Sequence, residues 1–245
     1  MQEEKEWYQS WFESPYYDLL YKDRDQEEAD MFIHNLVTHL APSKNALMLD
    51  LACGKGRHSI ALNRMGYNVT GVDLSQRKIK AAKQHENSSL SFEVHDMRMP
   101  LEPNKYDYVF NLFTSFGYFD NEEENKVVLT NVFNSLKSKG IFILDYVNGE
   151  RASKYLLKHE EYSLEGVDFS IYRYAKNNVI VKEIKIKDGV VECSFTEKVN
   201  IFSETKLKEY ITGCGFEVLE TFGDYQLNKF IAKDSDRLII ISRKP

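Results

Sequence analysis

Hydrophobic and polar positions follow distinct periods along the chain. Apolar side chains recur at helical spacing through Asp25–Leu40, which predicts an amphipathic helix there. From residue 46 short apolar runs alternate with helical patterns, and this alternation predicts a parallel sheet with helices on both faces. The predicted strands are Ala46–Leu51, Asn68–Val72, Leu90–Val94, Tyr106–Leu112 and Gly140–Val147, and the helices between them are Arg57–Met65, Ser75–His85 and Glu122–Lys137.

The pattern changes after the fifth of these strands. Partial alternation of β-branched and aromatic residues, with a hairpin signal at Asp188-Gly189, predicts an antiparallel insert of roughly 50 residues. Its expected strands are Val167–Tyr174, Val179–Lys187 and Val190–Phe202. The main sheet is then expected to be completed by a helix and two strands, Ser203–Thr212, Phe216–Phe222 and Arg237–Arg243.

Composition narrows the classes of partner. The 245 residues are 42% hydrophobic and 29% charged, which suits a soluble globular protein. No apolar stretch reaches the roughly 18 residues that span a bilayer, and the N-terminus lacks the order of a signal peptide, so we expect a cytoplasmic protein with no membrane partner. A formal net charge of −6 argues against a nucleic-acid partner. The three cysteines and six histidines are scattered, so neither disulfides nor a metal site is expected.

A glycine turn follows the first predicted strand in LDLACGKGRHS, residues 49–59. A Gly-rich turn between a strand and a helix brings backbone N–H groups close to a ligand at the carboxyl end of the sheet. A dinucleotide site usually has the pattern G-x-G-x-x-G, and Ser59 stands where the third glycine would be. The turn is therefore a candidate ligand site at which a dinucleotide is disfavoured.

Three acidic residues strengthen this interpretation. Asp73 ends the second strand about twenty residues after the turn, where it can accept hydrogen bonds from a ribose diol; alternatively it caps the helix that begins at Ser75. Asp96 follows the third strand, where it can accept from an adenine amino group or serve as a plain turn acid. Asp50 lies in an apolar run and needs partners, for which the N–H groups of the following turn are the nearest candidates.

Four motifs in this order and spacing, LDLACGKGR, GVDLS, HDMR and YDYVFNLF, resemble the class I S-adenosylmethionine-dependent methyltransferase family. The resemblance covers Leu47–Val147 and returns in GFEVLE and RLIIISRK near the C-terminus. It implies a doubly wound, Rossmann-like α/β fold with a seven-stranded sheet whose last strand is antiparallel, plus the small antiparallel insert after strand five. Along the chain it implies an N-terminal lid and helix in 1–45, a cofactor-binding core in 46–150, an insert covering the acceptor site in 151–202, and a helix and strands completing the sheet in 203–245.

The resemblance implies that the glycine turn lies beneath the methionine part of S-adenosylmethionine. The residues concerned are Asp50, Ala52, Gly54, Gly56 and the adjoining Arg57. Ala52 stands where the family most often has its first glycine, and a methyl group is tolerated there. This departure bears on fine geometry and not on cofactor binding.

The tips of the next three strands are assigned by the same resemblance to the rest of the cofactor. Asp73 is expected to bind the ribose, with Leu74 packed on the adenine. Asp96 and Met97 are expected at the adenine edge, and Asn111 at the site of methyl transfer.

Aromatic residues supply the π-rich surroundings that a cationic sulfonium favours. They cluster after the fourth strand and at the N-terminus, as Phe113, Phe116, Tyr118, Phe119, Trp7, Tyr8, Trp11, Phe12, Tyr16 and Tyr17. The segment WFESPYYDLL resembles the N-terminal lid of small-molecule methyltransferases, in which a Tyr before Asp approaches the cofactor. In this sequence that residue is Tyr17.

The implied reaction is an in-line displacement that moves a methyl group to an N or O atom of a small-molecule acceptor. Residues 111–114 lack the Asn/Asp-Pro-Pro-aromatic run of enzymes that methylate nucleobase amines, and Cys53 is in the wrong place for a nucleophile that attacks cytosine. Asp145, Tyr146 and His58 are the nearest candidates for a general base, but none is assigned a catalytic role.

Two other functions stay open. A non-catalytic sensor or interaction protein would keep the cofactor site without acceptor chemistry, and a filled cavity beside the cofactor would favour it. An NAD-dependent oxidoreductase is disfavoured by Ser59 and by the expected antiparallel last strand. Both a monomer and a homodimer are compatible with the sequence.

Overall fold

Two sheets and a set of helices are seen in the computed structural model, which describes residues 6–22, 26–119 and 121–245. The helices are α1 Trp7–Glu13, α2 Pro15–Leu20, α3 Gln26–Leu40, α4 Arg57–Arg64, α5 Gln76–Ala82, α6 Glu122–Ser135, α7 Gly149–Lys154 and α8 Glu204–Gly213. The strands are β1 Leu47–Leu51, β2 Asn68–Asp73, β3 Leu90–Val94, β4 Tyr106–Asn111, β5 Leu136–Val147, β6 His159–Leu164, β7 Val167–Lys176, β8 Val179–Asp188, β9 Val191–Asn200, β10 Glu217–Phe222 and β11 Arg237–Arg243. A 3-10 turn, Lys83–His85, follows α5.

The larger sheet has seven strands in the order β10-β11-β5-β4-β1-β2-β3. Strands β1 to β5 run parallel, and β11 lies antiparallel to β5. The strand order reverses between β1 and β4, which is where open α/β sheets form a ligand-binding crevice at the carboxyl ends of their strands. The expected doubly wound, Rossmann-like sheet with an antiparallel last strand is confirmed.

Helices cover both faces of this sheet because successive side chains of a buried strand point to opposite faces. On one face, apolar residues of α6 and α8 pack in a cluster with Leu49 and Val109. On the other face, residues of α3, α4 and α5 pack with Met48 and Phe110. In the part of the chain that the structure describes, no helix is long and apolar enough to cross a membrane.

The insert is a four-stranded antiparallel sheet in the order β6-β7-β8-β9, whereas the sequence predicted three strands. Its first strand was missed because HEEYSL is mostly polar and exposed, so it carries little periodic signal. One face of the insert buries Trp11 of α1 against Phe169 and Ile184. Trp7 and Phe12 contact both this cluster and the main-sheet cluster that contains Leu49 and Val109. The N-terminal helices therefore join the insert to the main sheet.

The remaining differences from prediction are at element boundaries and in short helices. The aromatic N-terminal segment forms two short helices, and Ser14 caps the second by accepting a hydrogen bond from the backbone N–H of Tyr16. Helix α6 ends at Ser135 and β5 begins directly at Leu136, earlier than the predicted Gly140. The short helix α7 was not predicted, and Asp25, the predicted start of α3, lies outside the described residues.

Candidate active site

A cavity of about 460 Å³ opens at the carboxyl ends of β1, β2, β3 and β4. Loops that follow these strands line it together with side chains of α1 and α2. The cavity brings together most of the predicted site residues, namely Tyr17, Ala52, Gly54, Arg57, Asp73, Leu74, Asp96 and Met97. Asp50, Gly56 and Asn111 are not among its lining residues; each is buried and adjoins in sequence a residue that is.

The turn after β1 has a left-handed backbone at Ala52 (φ 64°), Gly54 (φ 59°) and Gly56 (φ 84°). A side chain raises the energy of this conformation, so Ala52 is strained by roughly 1 to 2 kcal/mol relative to glycine. Gly56 has a second reason to lack a side chain, because a Cβ there would lie 2.6 Å from the ring of Phe92. The turn therefore packs directly on β3.

Asp50 is buried within β1, and its carboxylate accepts a 2.6 Å hydrogen bond from the hydroxyl of Ser59. The partner is thus Ser59 on the first turn of α4, through its hydroxyl and its backbone N–H, whereas the sequence pointed to the N–H groups of the glycine turn. Burial raises the pKa of Asp50 to about 6, against the lowering effect of the hydrogen bonds from Ser59. The residue that breaks the dinucleotide pattern is therefore the one that satisfies this buried acid.

Asp73 connects the end of β2 to the glycine turn. Its Oδ2 accepts from the backbone N–H of Gly54 at 2.8 Å, and its Oδ1 accepts from that of Ser75 at 2.9 Å. Helix α5 is capped separately, by the Ser75 hydroxyl accepting from the N–H of Lys78. Each carboxylate oxygen of Asp73 keeps capacity for a second hydrogen bond, so this side chain is fixed in position and still able to bind a donor in the cavity.

Asp96 is held at the end of β3 by Arg98. The backbone N–H of Arg98 donates to Oδ1 at 2.9 Å, and its guanidinium donates to Oδ2 at 2.7 Å. Burial alone would raise the pKa of Asp96, but the hydrogen bonds from Arg98 overcome this effect and lower it. Arg98 also pairs with Glu124 of α6 at 2.8 Å. Asp96 is therefore a fixed, ionised acceptor at the edge of the cavity.

Helices α1 and α2 are fastened beside the cavity by Arg77 of α5. Its guanidinium donates to the backbone carbonyls of residues 12–14 and pairs with Asp18 of α2. Lys55 of the glycine turn lies 3.0 Å from the same carboxylate. Sequence reasoning did not single out Arg77, because a lone arginine on a predicted helix does not indicate which distant segment it contacts.

Phe113, in the loop after β4, forms another wall of the cavity. Its backbone N–H donates to the buried carboxylate of Asp145 at 2.7 Å. Asp145 also pairs with Arg237 of β11 at 2.7 Å and accepts from the hydroxyl of Tyr225 at 3.3 Å. The guanidinium carbon of Arg57 lies 4.2 Å from the centroid of the Phe113 ring. This network sets the shape of the wall.

Of the three candidate bases, His58 is the one that lines the cavity. Burial, with a smaller effect from Arg57, lowers the pKa of His58 well below its usual range, so its imidazole is neutral and weakly basic. Tyr146 donates to the carbonyl of Asn200 at 2.7 Å and does not line the cavity. Asp145 is committed to Arg237 and to the Phe113 loop.

A family model described as a methyltransferase domain matches residues 42–198, from the segment before β1 to the end of the insert. The chain belongs to the class I S-adenosylmethionine-dependent methyltransferase family.

Relatives of this methyltransferase act on different kinds of acceptor atom. A glycine/sarcosine N-methyltransferase from Aphanothece halophytica is 27% identical over 236 residues, which covers 90% of this chain and 83% of that protein. A ubiquinone biosynthesis O-methyltransferase from Psychrobacter arcticus is 25% identical over 155 residues, 62% of this chain and 59% of that protein. The S-adenosylmethionine-bound structure of an amino pentose methyltransferase from Micromonospora echinaspora has the same fold, with a TM-score of 0.71 at 17% identity over 95% of this chain and 98% of that one.

The protein is therefore an enzyme, and S-adenosylmethionine is its cofactor. The hydrogen-bond acceptors and aromatic rings of the cavity fit this molecule. Asp73 has acceptor capacity for a diol, Asp96 is an ionised acceptor, and the rings of Phe12 and Tyr17 line the same space. Aromatic faces of this kind stabilise a sulfonium cation.

The substitution Asp50→Asn tests the buried carboxyl of the methyltransferase. The folded-state pKa of about 6 exceeds the unfolded value of about 3.9, so between these values the native state binds more protons and the free energy of unfolding falls as pH rises. The asparagine of the variant does not titrate, so the variant lacks this pH dependence. The free energy of unfolding of the unaltered protein minus that of the variant should therefore fall by about 2 kcal/mol from pH 4 to pH 7, as measured by urea titrations. A difference that stays constant over this range would contradict the raised pKa.

Proposed function

We propose that this methyltransferase transfers the methyl group of S-adenosylmethionine to an amine nitrogen of a small-molecule acceptor. The observation that carries the proposal is that none of the three candidate bases, Asp145, Tyr146 and His58, is available to take a proton in the cavity. Asp18 and Asp96 are each held by arginine, and the imidazole of His58 is weakly basic. A neutral amine attacks through its own lone pair, whereas a hydroxyl needs a base to remove its proton.

Similarity to known enzymes supports nitrogen over oxygen as the acceptor atom. The glycine/sarcosine N-methyltransferase aligns with 90% of this chain, whereas the ubiquinone biosynthesis O-methyltransferase aligns with 62%. The amino pentose methyltransferase, whose fold extends over 95% of the chain, is also named for an amine-bearing small molecule. Since these two alignments cover 90% and 95% of the chain, they extend beyond the shared cofactor core in 46–150.

In the proposed complex the tips of β2 and β3 bind the adenosine. Asp73 accepts hydrogen bonds from the ribose hydroxyls while it stays bonded to the N–H of Gly54. Leu74 and Met97 pack on the adenine, and Asp96 accepts from its amino group. Because Arg98 already fixes the carboxylate of Asp96, little ordering is left to occur when the cofactor binds.

The methionine part is proposed to lie over the turn formed by residues 52–57. Two buried residues hold this turn in place. Asp50 binds the hydroxyl of Ser59, and Gly56 packs on Phe92 of β3. Asn111 donates from its amide to the carbonyl of Leu51 at 3.0 Å and so ties the tip of β4 to β1 beside the site of transfer.

When bound, the cofactor supplies an electrophilic methyl group. The chain's own task is to hold the amine in line with this group and to keep water out. Tyr17 and Phe113 wall the space where the acceptor would lie, and Arg77 keeps the helix carrying Tyr17 in place. The proton lost by the methylated nitrogen passes to solvent, because no residue is assigned to take it.

Helices α1 and α2, within the predicted N-terminal lid and helix of 1–45, are proposed to act as a lid, and the insert as its support. The insert contributes no residue to the described lining of the cavity, so it acts through the N-terminal helices. Its Glu197 accepts from the indole N–H of Trp11 at 2.6 Å and from the hydroxyl of Tyr21 at 2.7 Å. Tyr21 itself lines the cavity.

The substitution Asp73→Asn tests the ribose contact. It should weaken binding of S-adenosylhomocysteine about tenfold in calorimetric titrations, because charged hydrogen bonds to the diol are lost. With the 2′,3′-dideoxy analogue, which lacks the diol, variant and unaltered protein should bind alike. Asp224→Asn is the matched control, since Asp224 also accepts from two backbone N–H groups, of Gln226 and Asn228, but does not line the cavity. Equal weakening toward both ligands would contradict a contact with the ribose.

The acceptor atom is tested with pairs of molecules that differ in one group. Glycine is compared with glycolate, and an amino sugar with its parent sugar, using S-adenosylmethionine labelled with ¹³C in the methyl group and detection by NMR. We expect label on nitrogen alone, at a rate that rises with pH as the amine loses its proton. Label on the oxygen of a hydroxyl partner would contradict the proposal, and a sample without protein controls for uncatalysed transfer.

A further inference from the structure

The hydroxyl of Tyr8 is buried and has no hydrogen-bond partner among the residues that the structure describes. Tyr8 lies on α1, is 5% exposed, and lines the cavity. A hydroxyl buried in this way has lost its hydrogen bonds to water without replacement, which destabilises the ligand-free fold. Its presence therefore has to be explained by something other than the stability of that fold.

Ring packing does not explain it. The Tyr8 ring meets Phe119 edge to face with centroids 5.8 Å apart, and meets Trp7 in the same way at 5.7 Å. These contacts involve the aromatic ring alone, so phenylalanine at the same position would make both of them. The oxygen is the feature that needs a partner.

Three of the charged groups near this oxygen, Asp96, Arg98 and Glu124, are already paired with one another. Asp96 accepts from Arg98, and Arg98 also bonds Glu124. Burial raises the pKa of Tyr8 to about 12, with Arg98 opposing the rise and the nearby acids adding to it. The phenol therefore keeps its proton at neutral pH and is able to donate a hydrogen bond.

We propose that the Tyr8 hydroxyl donates a hydrogen bond to a ring nitrogen of the adenine of S-adenosylmethionine. The inference rests on the proposed function, which puts the adenine beside Asp96 and Met97 in the same cavity. Adenine carries an amino donor and ring-nitrogen acceptors. An acid that accepts and a phenol that donates are complementary to these two kinds of group, so helix α1 belongs to the cofactor site as well as to the lid.

Tyr8→Phe removes the oxygen and keeps the ring. We expect it to weaken binding of S-adenosylhomocysteine about threefold to tenfold in calorimetric titrations, the effect of one hydrogen bond. The melting temperature of the ligand-free variant should equal or exceed that of the unaltered protein, because an unpaired buried hydroxyl is gone. Tyr210→Phe is the matched control: Tyr210 is a buried tyrosine on α8 that does not line the cavity, and its variant should bind within about twofold of the unaltered protein.

Analogues separate a hydrogen bond from a change in packing. S-adenosylhomocysteine is compared with three versions in which N1, N3 or N7 of the adenine is replaced by C–H. The penalty of Tyr8→Phe should disappear for one of the three, the one that lacks the acceptor nitrogen. Equal penalties for all ligands would show that the variant acts through packing and would overturn the inference.

The failure of this inference is distinguishable from the failure of the proposed function. If S-adenosylhomocysteine binds in a manner that depends on Asp73 while Tyr8→Phe leaves its affinity unchanged, the role of Tyr8 is refuted and the cofactor site stands. If the unaltered protein does not bind S-adenosylhomocysteine, both are refuted.

Discussion

The glycine turn packs against the ring of Phe92, and the rest of the cofactor site depends on this contact. A Cβ at either Gly56 or Gly71 would come within 2.6 Å of this ring, so both positions require glycine for packing. The turn between β1 and α4 is thereby pressed onto β2 and β3. This contact brings the N–H of Gly54 to 2.8 Å from the carboxylate of Asp73, which joins the two strand ends that the cofactor site needs side by side.

Two buried carboxylates, outside the lining of the cavity, bind elements at the same edge of the sheet. Asp50 binds Ser59 beneath the turn, and Asp145 binds Arg237 beneath the loop that carries Phe113. A buried carboxylate without a partner is strongly disfavoured, so each pair ties a neighbouring element to its strand. The antiparallel last strand therefore does more than complete the sheet, because it supplies the guanidinium that fixes a wall of the cavity.

The main sheet could be predicted because its strands and helices carry clear periodic signals and its ligand-binding tips carry the acids Asp73 and Asp96. The cavity brings both acids together with the glycine turn. What could not be predicted depends on contacts between distant segments. The polar strand β6 is specified by pairing with β7, and the bonds of Arg77 to residues 12–14 join elements more than sixty residues apart. The partner of Asp50 was missed because sequence distance favoured the nearer N–H groups over Ser59.

The central claim is that the cavity at the ends of β1 to β4 binds S-adenosylmethionine and not a dinucleotide. The most direct test is calorimetric titration of the unaltered protein with S-adenosylhomocysteine and, separately, with NAD⁺. The geometry predicts one site of roughly micromolar affinity for the first ligand and affinity weaker by about a hundredfold or more for the second. Comparable binding of NAD⁺, or no binding of S-adenosylhomocysteine, would contradict the assignment of this cavity.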